Sequence, residues 1–309
     1  MHIQDIFARD SITFSFEYFP PRTDAMAADL YSAIEEMKPL HPSFVSVTYG
    51  AGGATRKRTH DLVVRLKMEA GLDPIPHLTC VCHTEEEIRG ILERYAETGI
   101  SNIMALGGDV PKNLQGYDRS QDVFPHATDL VRFTKMFNSE GKHPDPRGFG
   151  IGVAGFPEGH PSTPNRLLEM EYLKKKVEEG ADYIVTQLFF DNHDFYDFRE
   201  RCDLVGINIP ILAGIMPLTS LAGMERMAEM ALGARFPAGL LRAVERCGGE
   251  EEYVRRVGIQ WATEQCRDLL DNRVNGLHFY TLNRSSATRE VYSGLGVKDS
   301  LSLQRFSKV

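Results

Sequence analysis

The chain has 309 residues, 42% of them hydrophobic and 25% charged, values of a globular protein that exclude disordered and fibrous classes. Its net charge of −8 argues against nucleic acid or an anionic membrane as the main partner, because both reward a basic face. A small anionic ligand needs only one local positive site and stays open. The five cysteines (Cys80, Cys82, Cys202, Cys247 and Cys266) are odd in number and irregularly spaced, which suits a reducing compartment better than a disulfide framework. Residues 1–10 lack the apolar core of a signal peptide, and no run of about 18 apolar residues is present to span a bilayer. A soluble, cytoplasmic protein is expected.

In chain order, eight short β-rich runs alternate with longer amphipathic segments. The runs fall at 12–19, 43–49, 75–82, 102–106, 148–155, 183–190, 209–215 and 276–281. Most are too continuously apolar for half-exposed antiparallel strands and predict parallel strands covered on both faces. The helices between them carry end signals. Thr84 with Glu87 forms a capping box ahead of the stripe Ile88, Ile91, Leu92 and Tyr95, and Gly99 supplies the stop. Thr163-Pro164 is expected to open another helix, with Leu167, Met170, Leu173 and Val177 on its buried face and Gly180 closing it. The long stretch before the last strand predicts an extra helix over 237–246 and a long one over 250–270. Residues 111–124 and 143–147 read as loops. Eight βα units in a chain of this length predict a single (β/α)8 TIM barrel over 1–309, with no linker dividing it and no appended regulatory domain.

One motif is discounted. Gly50-Ala51-Gly52-Gly53-Ala54-Thr55 nearly fits the dinucleotide fingerprint, but its last position is Thr. The acidic residue that a Rossmann site places about 20 residues on is also missing. A glycine-rich βα loop beside a phosphate or ring is the better reading.

In a barrel, chemistry sits at the C-terminal strand ends. Alternation along the first strand puts Ser15, Glu17 and Phe19 on one side and Phe14, Phe16 and Tyr18 on the other, so Glu17 points into the mouth. A carboxyl group losing solvation there suits a general acid, against the alternative of a buried Glu with a basic partner. The fourth strand ends Gly107-Gly108-Asp109, which admits a flat ligand or is a plain turn. Gln187 lies in an apolar run and is either a satisfied core amide or a polar contact for a ligand. Cys80 and Cys82 share a side but lack a second pair at zinc spacing, so no metal site is expected. No nucleophile elbow is present. Arg56-Lys57-Arg58 opens a helix, as a solvated face or as help for a phosphate.

Six segments in this order resemble the methylenetetrahydrofolate reductase family. They are Phe16-Glu17-Tyr18-Phe19-Pro20-Pro21-Arg22, Val45-Ser46-Val47-Thr48-Tyr49-Gly50-Ala51 and Pro76-His77-Leu78-Thr79-Cys80, then Phe156-Pro157-Glu158-Gly159-His160-Pro161, Thr186-Gln187-Leu188-Phe189-Phe190 and His278-Phe279-Tyr280-Thr281-Leu282-Asn283-Arg284. The resemblance implies a cytoplasmic flavoprotein of one-carbon metabolism, feeding methionine biosynthesis, in which NADH or NADPH reduces FAD and FAD then reduces the folate. It implies Glu17 as the acid that opens the folate's five-membered ring to an iminium ion. Asp109 would orient the pterin and tune the flavin, and Gln187 and Leu221 would contact folate or nicotinamide. Thr48, Tyr49, His77, Gly107, Gly108, Phe156, His160, Lys176 and Tyr280 would line the FAD site. A homodimer or homotetramer is the implied assembly.

Three positions depart from the family pattern. Gly107 stands where an Arg is expected, Phe156 where a Tyr is usual, and Leu221 where some members have Phe. Losing an Arg contact costs about 1–3 kcal/mol, so FAD is expected to bind more loosely than usual. Those changes leave two alternatives beside the flavin-dependent reductase: a flavin-independent folate reductase passing hydride directly from NAD(P)H, and a non-catalytic folate- or flavin-binding barrel.

Overall fold

A computed structural model describes residues 1–50, 55–110, 116–231 and 234–306, with Met230, Arg305 and Phe306 described by backbone alone. The eight expected strands are all found. They are β1 Thr13–Tyr18, β2 Phe44–Val47, β3 Pro74–Thr79, β4 Asn102–Leu106, β5 Gly150–Gly155, β6 Tyr183–Thr186, β7 Ile211–Ile215 and β8 Gly276–Tyr280. They pair in parallel in sequence order, and β8 closes on β1, making a (β/α)8 TIM barrel. The helices are α1 Ile3–Arg9, α2 Asp24–Met37, α3 Arg56–Met68, α4 Glu85–Glu97, α5 Ala127–Ser139 and α6 Arg166–Glu178. They continue with α7 Asn192–Leu204, α8 Leu221–Met230, α9 Ala238–Glu245, α10 Glu251–Asp271, α11 Ser286–Gly294 and α12 Ser300–Phe306.

Alternation builds two apolar layers. Outward residues Phe14, Phe16 and Tyr18 pack beneath the helices with Met37 and Tyr292, in the core that encircles the barrel. Inward residues at the N-terminal strand ends, Phe44, Ile75, Met104, Tyr183 and Leu212, are capped by Ile3 and Ile6 of α1. That helix is anchored by Asn102, whose Oδ1 accepts from the Ile3 amide (2.7 Å) and whose Nδ2 donates to the Met1 carbonyl (2.8 Å). The barrel floor is therefore sealed, and inward polar residues collect at the other end.

Most local signals hold. The Thr84–Glu87 capping box forms, with Ile88, Ile91, Leu92 and Tyr95 buried beneath α4. Gly99 and Gly180 take positive φ at the ends of α4 and α6. The helices expected over 237–246 and 250–270 are α9 and α10.

Four expectations need correction. Helix α6 starts at Arg166, not at Thr163-Pro164, because the Asn165 side chain accepts from the amides of both Leu167 and Leu168 and makes the better cap. In that phase Leu167 is 79% exposed, and only Met170 and Leu173 of the expected apolar face are fully buried. Strand β6 ends at Thr186, four residues early. Leu188 and Phe190 are apolar because they pack under α8–α10 with Met227, Leu240 and Val254, outside the ladder. Strand β3 likewise stops at Thr79, and Cys82 turns with φ +60°. Helix α8 falls in the stretch where only two helices were expected. Residues 51–54 of the glycine-rich loop and 111–115 of the first expected loop lie outside the described residues.

Candidate active site

Register brings Glu17 to the centre of the mouth. It pairs across the sheet with Ser46 of β2 and Tyr280 of β8. Its carboxylate is nearly buried, with Oε2 3.4 Å from Nε2 of His77 and 3.7 Å from Nε2 of His278. Both separations are longer than hydrogen bonds. Burial lowers the pKa of His77, with Glu17 pulling in the opposite direction and losing. The basic partner weighed against a catalytic Glu17 is thus a pair of imidazoles, and no Lys or Arg ion-pairs with it among the described residues.

The second imidazole was not singled out from the sequence, although its spacing to Tyr280 marks it as inward. His278 Nδ1 lies 2.7 Å from Ser15 Oγ, its Nε2 lies 3.4 Å from Ser46 Oγ, and the ring stacks on Phe44. Tyr280 donates to the Thr186 carbonyl at 2.7 Å, and burial raises its hydroxyl well above the usual phenol range. It is a neutral donor committed to the barrel wall.

The loop after β8 fixes the height of Glu17. Thr281 Oγ1 donates to the Glu17 carbonyl (2.6 Å), and the Asn283 side chain accepts from the Phe19 amide and donates to the Phe19 carbonyl (2.8 and 2.9 Å). Leu282 and Asn283 both hold positive φ, a strained pair kept in place by these bonds.

The β4–β5 side carries the cations. Lys176 reaches from α6 to donate to the Ala154 carbonyl (2.9 Å); burial pushes its ammonium down to about 8, and no carboxylate ion-pairs with it among the described residues. His160 packs edge-on to Phe156 at 4.6 Å and bonds to the Ser162 hydroxyl, and burial lowers its pKa. Arg119, missed in the sequence, lays its guanidinium over the end of β4, donating to the carbonyls of Gly107 (2.7 Å) and Gly108 (2.8 Å). Beside it Thr79 Oγ1 is buried without a partner. Two cations, Lys176 and Arg119, make no ion pair among the described residues, an arrangement that suits an anionic group such as a diphosphate.

The other expected residues are placed as follows. Asp109 is exposed on the rim just past Gly108, which has φ +77°, a backbone state that glycine reaches without strain. Gln187 is half-exposed at the first position beyond β6; its Oε1 accepts from the Leu188 amide and its NH2 has no partner among the described residues. Thr48 is half-buried at the end of β2. Tyr49 is not brought to Glu17: its hydroxyl is held by His83 (3.1 Å) and by Arg56, which also pairs with Glu87. Leu221 opens α8 and is 39% exposed. Cys80 donates to the Gly107 carbonyl, and among the described residues no group of three His, Cys, Asp or Glu side chains is placed to hold a metal. No helix among the described residues is long and apolar enough to cross a membrane.

A cleft of about 320 Å³ adjoins His160, lined also by Glu158, Arg166 and Arg235. Both guanidinium groups there are already paired, Arg235 with Glu158 and Asp194 and Arg166 with Glu169.

The chain is 36% identical to "5,10-methylenetetrahydrofolate reductase" of Escherichia coli over 290 residues, covering 94% of this chain and 93% of that protein. It is also 36% identical to "Methylenetetrahydrofolate reductase (NADH) 1" of Arabidopsis thaliana over 312 residues, covering 98% of this chain. The chain spans about half the length of that plant relative and of the fission yeast one (51% and 47%). Among solved structures, a Clostridium thermocellum protein described as binding two copies of 5-methyl-5,6,7,8-tetrahydrofolic acid aligns over 99% of this chain and all of its own, with a TM-score of 0.65. At 13% identity that likeness speaks for the fold alone. The model of the methylenetetrahydrofolate reductase family matches residues 2–296, and the chain belongs to that family.

Proposed function

We propose that the protein reduces 5,10-methylenetetrahydrofolate to 5-methyltetrahydrofolate with hydride from NADH or NADPH relayed through FAD, feeding methionine synthesis. The observation that carries this reading is Glu17, a nearly buried carboxyl group in the barrel mouth with no Lys or Arg paired to it among the described residues. A carboxylate clamped by a strong base is a structural ion; one faced only by imidazoles is free to hold and move a proton. The names of the relatives, at 36% identity, supply the substrate.

In this reading Glu17 gives its proton to the ring nitrogen that leaves as the folate's five-membered ring opens. The electrons of the breaking C–N bond pass to that nitrogen, and the carbon becomes part of an iminium ion. Burial disfavours the charged form of His77, which makes it a poor competitor for the proton that Glu17 would give to the substrate. Asp109 and Gln187, just beyond the C-terminal ends of β4 and β6, would orient the pterin. Lys176, His160 and the Gly107-Gly108 turn would hold FAD, which when bound supplies hydride acceptance and delivery. Thr48, Phe156 and Tyr280 would line its ring, and Leu221 the nicotinamide or folate side.

An anaerobic absorbance titration of the purified protein tests this. Flavin bands that bleach on adding NADH or NADPH and return on adding methylenetetrahydrofolate are expected. Folate-dependent NADH or NADPH oxidation with no flavin bands, even after adding FAD, would establish direct hydride transfer instead. Neither signal would leave a barrel that binds without reducing.

A further inference from the structure

The family resemblance leaves Gly107 as a lost cation, yet the volume above that glycine is filled. A Cβ built at Gly107 would lie 2.8 Å from Nη2 of Arg119, so a side chain at 107 would displace the guanidinium from this place. Arg119 arrives from a different segment, the short turn Arg119–Gln121 ahead of α5. Its guanidinium is held at four points: Nη2 on the Gly107 carbonyl and near Cys80 Sγ, Nη1 on the Gly108 carbonyl, and Nε on the Pro125 carbonyl. All four acceptors are neutral. No carboxylate ion-pairs with Arg119 among the described residues, and one Nη1 hydrogen has no partner among them. Its charge acts on the same rim as Lys176, since both oppose protonation of His160. A half-buried, immobilised guanidinium without a counter-ion is an anion site in waiting.

We propose that Arg119 replaces the missing side chain of position 107 in space and binds the diphosphate of the flavin dinucleotide, so that glycine at 107 is what allows it to dock. The proposal rests on the FAD reading above. It revises the expectation of loose flavin binding, because the cation is relocated and not lost.

The competing account is that Arg119 merely staples its loop to β4. Flavin-stripped protein is titrated with FAD and, separately, with riboflavin, which carries no phosphate, following flavin fluorescence. For Arg119→Ala the FAD affinity is expected to fall about tenfold or more, with riboflavin affinity changed less than about threefold. Arg119→Gln keeps N–H donors for the carbonyls and removes the charge, so it should lose FAD affinity as Arg119→Ala does; a pure staple predicts near-native binding. The double variant Gly107→Arg/Arg119→Ala places a guanidinium on the strand itself and should regain most of the lost FAD affinity. Thermal midpoints of all variants confirm that each is folded. Equal losses for FAD and riboflavin, native affinity in Arg119→Gln, or no recovery in the double variant would each overturn the proposal. A wild-type protein that takes up no FAD at all sinks the flavin reading itself, an outcome recognisable before any variant is made.

Discussion

Glu17 of β1 and His77 of β3 face each other across the barrel mouth at 3.4 Å, with His278 of β8 closing the third side at 3.7 Å. The imidazole of His77 is poor at taking a proton there, because burial opposes its charged form more than Glu17 favours it. The two imidazoles thus stand at the Glu17 carboxyl group with no Lys or Arg ion-paired to it among the described residues.

Replacing Glu17 should separate the two half-reactions of the proposed relay. Glu17→Gln keeps the size and the polar contacts but has no acidic proton. Its rate of reoxidation by methylenetetrahydrofolate is expected to fall about 10²–10⁴-fold, the usual range for a general acid. Reduction by NADH or NADPH needs no such proton and should stay within a few-fold of native. Stopped-flow absorbance of each half-reaction checks this; equal loss in both would assign Glu17 to positioning.

Lys176 gives the pH dependence. Its ammonium sits at about 8 in the free protein, below the ordinary lysine value, because burial disfavours the charge. A bound diphosphate favours that charge and raises the value, so binding takes up a proton above about pH 8. FAD affinity is expected to be level below that pH and to weaken as pH rises through it, while Lys176→Met binds FAD more weakly with a flat profile. Stability has its own sign. A lysine whose folded value is depressed costs stability while it is charged, and that cost fades as pH rises above about 8. Lys176→Met without flavin should therefore resist urea better than native at pH 7, measured by equilibrium unfolding.

Periodicity made the barrel legible. Parallel strands covered on both faces read as unbroken apolar runs, and all eight were found, as was the inward direction of Glu17. What periodicity could not separate was a strand from an apolar loop: residues 187–190 continue the β6 run in composition, yet Leu188 and Phe190 pack under α8–α10 outside the ladder. The site was legible where side chains lie on strands. Arg119 was not, because its place on Gly107 depends on a loop crossing from another segment. Nor was the commitment of Tyr49 to His83 and Arg56, since the same alternation that turns Thr48 inward turns Tyr49 outward.

The loop after β8 should show its strain on substitution. Asn283 combines two bonds to the Phe19 backbone with φ +60°. Asn283→Gly removes the bonds but tolerates the backbone, and is expected to cost about 1–2 kcal/mol. Asn283→Ala loses both and adds left-handed strain, costing about 1 kcal/mol more. Urea unfolding of the two variants measures the difference. The larger effect should also appear as slower folate turnover, because Glu17 lies two residues before Phe19.

The opposite end of the barrel provides the contrast. Asn102 is buried beneath α1 and serves both the Ile3 amide and the Met1 carbonyl, so Asn102→Ala leaves a buried amide without an acceptor. Such an orphaned donor costs about 1–3 kcal/mol, and loosening Ile3 and Ile6 from the floor adds lost apolar burial. A fall of about 2–4 kcal/mol in unfolding free energy is expected on those grounds. Activity measured well below the unfolding transition should stay within about twofold of native, because chemistry in this fold sits at the other end of the strands. A comparable loss of turnover in folded Asn102→Ala would mean that the floor and the mouth are coupled through the barrel interior, where Phe44 stacks on His278 and joins the α1 cluster.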